Sequence, residues 1–463
     1  MAENPIATCA QGKLEGVWRR DAMVFRGVPY ASLERRLALA GPAPSWEGTL
    51  DATGVGPAFP QFPGPYKARL DGQKVVLEQR EDAFTLSICT PDTQGKRPVV
   101  LWIHGGGYTT GSASAPEYEG ALLASRGDIV FVGANYRLGA LGNLHLPGVA
   151  RDNLPLHDLI AALSWVRDNI ADFGGDPEQI TIAAQSAGAW FALALAGLPE
   201  LRGCFKKLAL LSAPGDGPIE LDMADELAAS LIAELGLDDP AEVLDVPCER
   251  VIEAQWAVAR KSERVGISFM PCVEEGLLPR DLIGRAIEVS GADVPLFDGI
   301  TSDECSFFIS RMRDMILGMD EAGLTAMADG FTNGAGREAL ERFSFINDPY
   351  ERMVRIFSNR LFHEPGARLA AGFDTSFAYR MDYKSKAPHL GSSHCIDLPF
   401  LFGDFEQWAY DPAMRGESEE NVADLMRSFS SAFISFVRTG DPRCAEMPEW
   451  PAYESEDDRV VLA

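Results

Sequence analysis

The chain has 463 residues, 46% hydrophobic and 24% charged, with 68 acids against 41 Lys and Arg and a formal net charge of −27. That length buries a large core in an ordinary globular fold, and the negative balance argues against nucleic acid and anionic membranes as partners, since both call for positive charge. No window reaches the roughly 18 apolar residues of a membrane span.

The opening MAENPIATCA has neither a basic n-region nor an apolar h-region, so no secretory signal is expected. Eight cysteines (Cys9, Cys89, Cys204, Cys248, Cys272, Cys305, Cys395, Cys444) are scattered without a C-x-x-C pair or zinc spacing. They read as reduced thiols of a cytoplasmic protein.

In chain order, the first strong element is the compact apolar run Val99 to Ile103, bounded by Pro98 and a glycine cluster, as a buried central strand would be. A second run is Ile129 to Val132. Leu156, Leu159, Ile160, Leu163, Val166 and Ile170 then recur at helical spacing, and FGGDP stops that helix. QITIAAQSAGA reads as strand, tight turn and helix. Leu208–Leu211, Val294–Gly299 and Ser376–Arg380 are further strand candidates. Two mostly helical stretches, about 216–290 and 305–372, interrupt the alternation, and 418–438 forms an amphipathic helix ending at Gly440-Asp441-Pro442. Strands alternating with helices predict an α/β fold with a mainly parallel sheet in a single domain. The two helical stretches are expected to cap the sheet's C-terminal edge, where ligands of such sheets bind.

Four segments carry chemistry: HGGGY at 104–108, AQSAG at 184–188, DECSFF at 303–308 and GSSHC at 391–395. A serine hydroxyl is almost un-ionised at neutral pH, so a nucleophilic serine needs a base in contact and an exposed perch. The strand-turn-helix around Ser186 supplies the perch, and Gly188 fits the close passage of strand and helix. Ala184, where glycine is usual, adds one methyl to that crowded spot. Three glycines after a strand free the backbone to aim N–H groups at a developing oxyanion. The expected donors are Gly106, Gly107 and Ala187.

The base should be a histidine. Of six candidates, His104 belongs to the glycine segment, His145 and His157 flank turns, His363 lies in a helical stretch, and His389 reads as a loop residue. His394, after a Gly-Ser-Ser loop, is the expected base. Asp303 and Glu304 are both placed to be the acid, and spacing does not choose between them. The order Ser, acid, His is that of α/β-hydrolases.

These segments resemble the type-B carboxylesterase family, which includes cholinesterases and bacterial p-nitrobenzyl esterases. FRGVPYA at 25–31, EDAFTLSICTP at 81–91, NYRLGALG at 135–142, WVRDNIADFGGDPEQITI at 165–182, RTGDP at 438–442 and EWPAYE at 449–454 extend the resemblance over nearly the whole chain. The resemblance implies an α/β-hydrolase fold and hydrolysis of small to medium carboxylic esters through an acyl-enzyme, with no metal or organic cofactor. It implies Glu304 as the acid, Asp303 as structural, Ser212 as a serine supporting the acid, and Phe307 and Phe308 as lining of the substrate gorge. Tyr108, beside the oxyanion segment, is expected to shape the same pocket.

The chain also departs from the family. Ala83 stands where the family has a cysteine, so the usual N-terminal disulfide is expected to be absent. The loop at 57–80 holds no tryptophan to grip a quaternary ammonium, leaving Phe59, Phe62 and Tyr66 as its aromatic surface. Its Lys67, Arg69, Asp71, Lys74, Glu78 and Arg80 make it too charged for a lipase lid. Gln185 replaces a common glutamate. Cys305 and Cys395 both stand where the family has glycine, beside acid and base, which suggests either a redox-sensitive pair or two small buried fillers. The expected function is thus a serine ester hydrolase. The alternatives are hydrolysis of another acyl class (carbamate, amide, thioester or lactone) and a non-catalytic binding domain of the same fold.

Overall fold

The structure, a computed structural model, describes residues 3–62, 69–70, 73–261, 269–332 and 334–463. Tyr66, Lys67 and Asp71 of the 57–80 loop lie outside the described residues.

The main sheet has ten strands. They are β1 Val17–Arg19, β2 Ala22–Pro29, β3 Thr85–Thr90, β4 Arg97–Ile103, β5 Val130–Ala134, β6 Gly175–Gln185, β7 Lys207–Leu211, β8 Leu296–Thr301, β9 Ser376–Met381 and β10 Val460–Leu462. Their spatial order is β10-β9-β8-β7-β6-β4-β5-β3-β2-β1. Strands β4 to β10 run parallel, and β1 to β3 close one side antiparallel. This is the α/β-hydrolase fold, with every apolar run of the sequence reading recovered as a strand.

The central strands read as continuous apolar runs because both their faces are covered. In β4, Val99, Leu101 and Ile103 enter one core while Val100 and Trp102 enter the other. The first core is closed by helices α1 (Leu154–Asn169) and α2 (Ala187–Ala196), the second by the long C-terminal helix. Helix α1 ends as expected: a short 3₁₀ turn, Ile170–Phe173, is terminated by Gly174 at φ +76°.

The helical stretches are more divided than the sequence suggests. Helices α3 (Leu221–Leu235) and α4 (Cys248–Lys261) form a small core of their own with Leu37, Ala140, Leu141 and Leu144. Residues 305–362 form another around Tyr350, Met353 and Phe357. In contrast, α5 (Leu282–Ser290) inserts Leu282, Ile283 and Ala286 into the first sheet core, and Leu369 of the helix Glu364–Gly372 does the same. These two helices are crossovers of the sheet rather than parts of a cap. Their apolar residues face a buried sheet, and local periodicity alone does not say which surface an amphipathic helix will meet.

The chain order also prepares a site. Strand β4 has β5 on one side and β6 on the other, so the segments leaving the C-terminal ends of β4 and β6 part company. Such a switch point opens a crevice at that edge. HGGGY follows β4, Ser186 follows β6, Ser212 follows β7 and Glu304 comes three residues after β8.

Candidate active site

Ser186 occupies the corner between β6 and α2 at φ +56°, ψ −127°. A non-glycine residue there is strained and held by its surroundings. Its N–H donates to Leu211 O and its carbonyl accepts from Trp190 N. The turn needs a bare residue at 188. A Cβ on Gly188 would lie 2.2 Å from Ile103 O and 2.4 Å from His104 O, both backbone atoms that cannot swing aside. Ala184 is fully buried with its methyl in the sheet core, so the extra carbon is accommodated.

His394 Nε2 lies 2.8 Å from Ser186 Oγ, and His394 Nδ1 lies 2.5 Å from Glu304 Oε2. Glu304 Oε1 accepts from the Ser212 hydroxyl at 2.7 Å and from Thr301 N at 2.8 Å. Between the two candidate acids, Glu304 therefore meets the imidazole. Asp303 turns away, accepting from Ser392 N at 3.0 Å while its own N–H donates to Ser392 O at 2.9 Å. It thereby ties the acid loop to the histidine loop.

The electrostatics follow from contact. Burial opposes ionisation of Glu304, but His394, the Thr301 N–H and the Ser212 hydroxyl outweigh it and hold the carboxyl below its usual range. Burial also opposes the charged form of His394, but the Cys395 thiol and the Glu304 carboxylate outweigh it and raise the imidazole well above its ordinary value. When the ring is neutral with its proton on Nδ1 facing Glu304, the Nε2 lone pair faces the serine hydroxyl, which is the arrangement a general base requires.

The HGGGY segment lies against this group. Gly106 and Gly107 take φ of +121° and +59°, and the Gly106 carbonyl is turned away to accept from Thr109 N, Thr110 N and Thr110 Oγ1. An ideal Cβ on Gly105 would fall 3.0 Å from Ser186 Cβ, which sets the scale of the approach. Ala187 opens α2, so its N–H is a first-turn amide with no acceptor inside the helix. His104 stays out of the chemistry. It is buried, contacts Gly105 O through Nδ1 at 2.8 Å and stacks on Tyr136 at 4.4 Å. Burial pulls its pKa down to about 4, partly offset by the Gly105 carbonyl, so it remains neutral.

Phe307 and Phe308 lie beside the imidazole, with ring centroids 6.1 and 5.2 Å from that of His394. Both are half-exposed, at 53% and 51%. Tyr108 packs edge-on against Trp190 and Phe191, which commits part of its ring to the core. His389 belongs to another contact: its carbonyl accepts from the Tyr350 hydroxyl at 2.9 Å.

Several participants escaped the sequence reading. Phe362 packs at a tilt against His394, ring centroids 4.9 Å apart, from a π-helical turn, Asn359–His363, that interrupts the helical stretch. His363, read only as a helical residue, meets Thr301 O at 2.9 Å behind the acid. The Gln185 amide donates to Cys395 Sγ at 3.1 Å, and its nitrogen also lies 3.1 Å from His394 Nε2. No local pattern marks these contacts, because each joins elements far apart in the chain.

The two cysteines that follow Glu304 and His394 pack into different cores. Cys305 pairs its side chain with Ser358 and packs in the core around Phe357. Cys395, at φ +72°, packs against the core under the C-terminal helix and meets Gln185. All eight cysteines are unpaired. The redox pairing therefore gives way to the simpler alternative for Cys305, a buried filler, while Cys395 has a polar contact of its own.

A sequence profile of the carboxylesterase family matches residues 3–463. The phenmedipham hydrolase of Pseudarthrobacter oxydans is 33% identical, over 100% of this chain and 95% of that protein. The para-nitrobenzyl esterase of Bacillus subtilis is 30% identical, over 99% and 94%. Among solved structures, a carboxylesterase of Geobacillus stearothermophilus superposes with a TM-score of 0.86 at 30% identity, covering 99% of this chain and 96% of that one.

Proposed function

The chain belongs to the carboxylesterase family and is a carboxylic-ester hydrolase of the α/β-hydrolase type; from that premise we propose that Ser186, His394 and Glu304 carry the reaction through a covalent acyl-enzyme. Ser186 Oγ attacks the ester carbonyl carbon as His394 Nε2 takes the hydroxyl proton. Glu304 holds the ring by Nδ1 and stabilises the imidazolium. The carbonyl oxygen becomes an oxyanion, met by the N–H groups of Gly106, Gly107 and Ala187. The tetrahedral intermediate collapses, the C–O bond to the alcohol breaks, and His394 returns its proton to the leaving oxygen. Water, deprotonated by the same imidazole, then attacks the acyl carbon, and breaking the bond to Oγ releases the acid and restores Ser186.

The observation that carries this reading is the unbroken line from Glu304 Oε2 through His394 to Ser186 Oγ, at 2.5 and 2.8 Å. Phe307 and Phe308 line the acyl and alcohol pocket in this reading, with Tyr108 at its base and Phe362 behind the imidazole. The substrates are small to medium esters, and the chain works as a single domain. Eight unpaired cysteines suit a reducing, cytoplasmic compartment, and among the described residues no helix is long and apolar enough to cross a membrane.

The test is a series of p-nitrophenyl esters of increasing acyl length, with phenmedipham included because a relative is named for it. Ser186→Ala should lower kcat by about 10⁴–10⁶-fold, and an organophosphonate should label Ser186 in the parent protein alone. A parent protein that turns over esters but leaves Ser186 unlabelled would refute the assignment.

A further inference from the structure

One cluster of metal-ligating side chains stands apart from the catalytic group. His145, Asp152 and Cys272 each offer a ligand atom, and these atoms all lie within 4.8 Å of one another. They come from three stretches: the loop after the short helix Gly139–Asn143, the turn before α1, and the segment leading into α5. His145 Nδ1 is 2.9 Å from Asp152 Oδ1. Its other ring nitrogen faces Asp225 Oδ1 of α3 at 3.6 Å. Cys272 is buried, whereas Asp152 and Asp225 keep the outer side open to solvent.

The geometry is held from behind. Asn153 Oδ1 accepts from Cys272 N at 3.0 Å, and Asn153 Nδ2 donates to Cys272 O at 3.1 Å and to Glu274 Oε2 at 2.9 Å. Arg151 donates to the other Glu274 oxygen at 2.6 Å. The main chain of Cys272 is thereby locked to the residue after Asp152. Ile219, just before α3, is bridged to Cys272, with Val273 N donating to Ile219 O at 2.9 Å.

We propose that His145 Nδ1, an Asp152 carboxylate oxygen and the Cys272 thiolate bind a zinc-class divalent cation, with water as the fourth ligand, and that the ion staples α3 and α4 to the catalytic body. The donor set is chemically apt. Imidazole, carboxylate and thiolate together suit Zn²⁺; tetrahedral bonds of about 2.0–2.3 Å set ligand atoms roughly 3.3–3.7 Å apart, so the 2.9 Å His145–Asp152 contact opens slightly while the widest separation, within 4.8 Å, closes. Asp225, 3.6 Å from the remaining ring nitrogen, stands on the side from which a carboxylate orients a metal-bound histidine. The thiol proton leaves to solvent when the ion binds.

The experiment uses the full chain, stripped with a chelator and titrated with Co²⁺ and then Zn²⁺. Co²⁺ should bind at one equivalent and give a near-ultraviolet thiolate-to-metal band, and Zn²⁺ should displace it and raise Tm. Cys272→Ser should abolish the band, and His145→Gln and Asp225→Asn should each weaken Zn²⁺ binding by about tenfold or more. Ester hydrolysis by each variant reports that it has folded. The proposal is overturned if no thiolate band forms with Cys272 intact, if the band survives Cys272→Ser, or if folded His145→Gln binds Zn²⁺ like the parent.

Discussion

The floor of the site and the wall that faces it are built differently. From Ile180 to Leu198, along β6, the elbow and α2, every residue is buried except Ser186. The wall is set by Phe307, Phe308 and Phe362 from the second helical stretch, two of them half-exposed rings on a short helix. A close-packed floor fixes the reacting oxygen to within the tolerance of its neighbours. An exposed ring can be resized at little structural cost. In the proposed mechanism, the difference separates the part that makes the chemistry possible from the part that selects its substrate.

Four substitutions test that division alongside Ser186→Ala. The largest effect among them is expected from Glu304→Gln, which should lower kcat by about 10³–10⁴-fold, because the ring loses its tautomer and its counter-charge. The pH profile adds a sign. In the proposed mechanism neutral His394 is the active form, so activity should be lost as pH falls through its pKa, which Cys395 and Glu304 raise. Removing the carboxylate should move the acid limb to lower pH while the plateau drops. A limb that stays in place would show that Glu304 does not set the charge on the base.

Gly188→Ala probes the floor. Its Cβ would press on two backbone oxygens, so a loss of about 1–3 kcal/mol of stability is expected by chemical denaturation, together with a fall in kcat. In the wall, Phe308→Ala should leave Tm nearly unchanged and cut kcat/KM for medium-length acyl esters by roughly 5–30-fold, the worth of about 1–2 kcal/mol of apolar contact. If its stability falls like that of Gly188→Ala, the wall is part of the core and the contrast fails. The smallest effect is expected from Gln185→Glu. A carboxylate at 3.1 Å from Nε2 in place of the amide should favour the imidazolium and move the acid limb of kcat/KM upward in pH.

Much of the fold was legible because its signals are local. The run Val99–Ile103, the glycines of HGGGY and the small residues around Ser186 are each demanded by the backbone they occupy: a strand covered on both faces, positive φ, or a close crossing. The ends of the helical stretches were not legible, because α5 and the helix Glu364–Gly372 have stripes that suit a sheet or a neighbouring helix equally well.

The amino-acid sequence by itself determined the α/β order of elements, the elbow that lifts Ser186, and the glycine segment beside it, since these depend on conformations that only certain residue types adopt. Spacing alone left Asp303 and Glu304 tied, and it hid the packing of Phe362 on His394, the reach of Gln185 and the meeting of His145, Asp152 and Cys272. Those were decided by the tertiary structure, which joins His394 to Ser186 across 208 positions and to Glu304 across 90. A contact of that range exists only once the sheet has brought its C-terminal edges together, and no local rule of the chain encodes it.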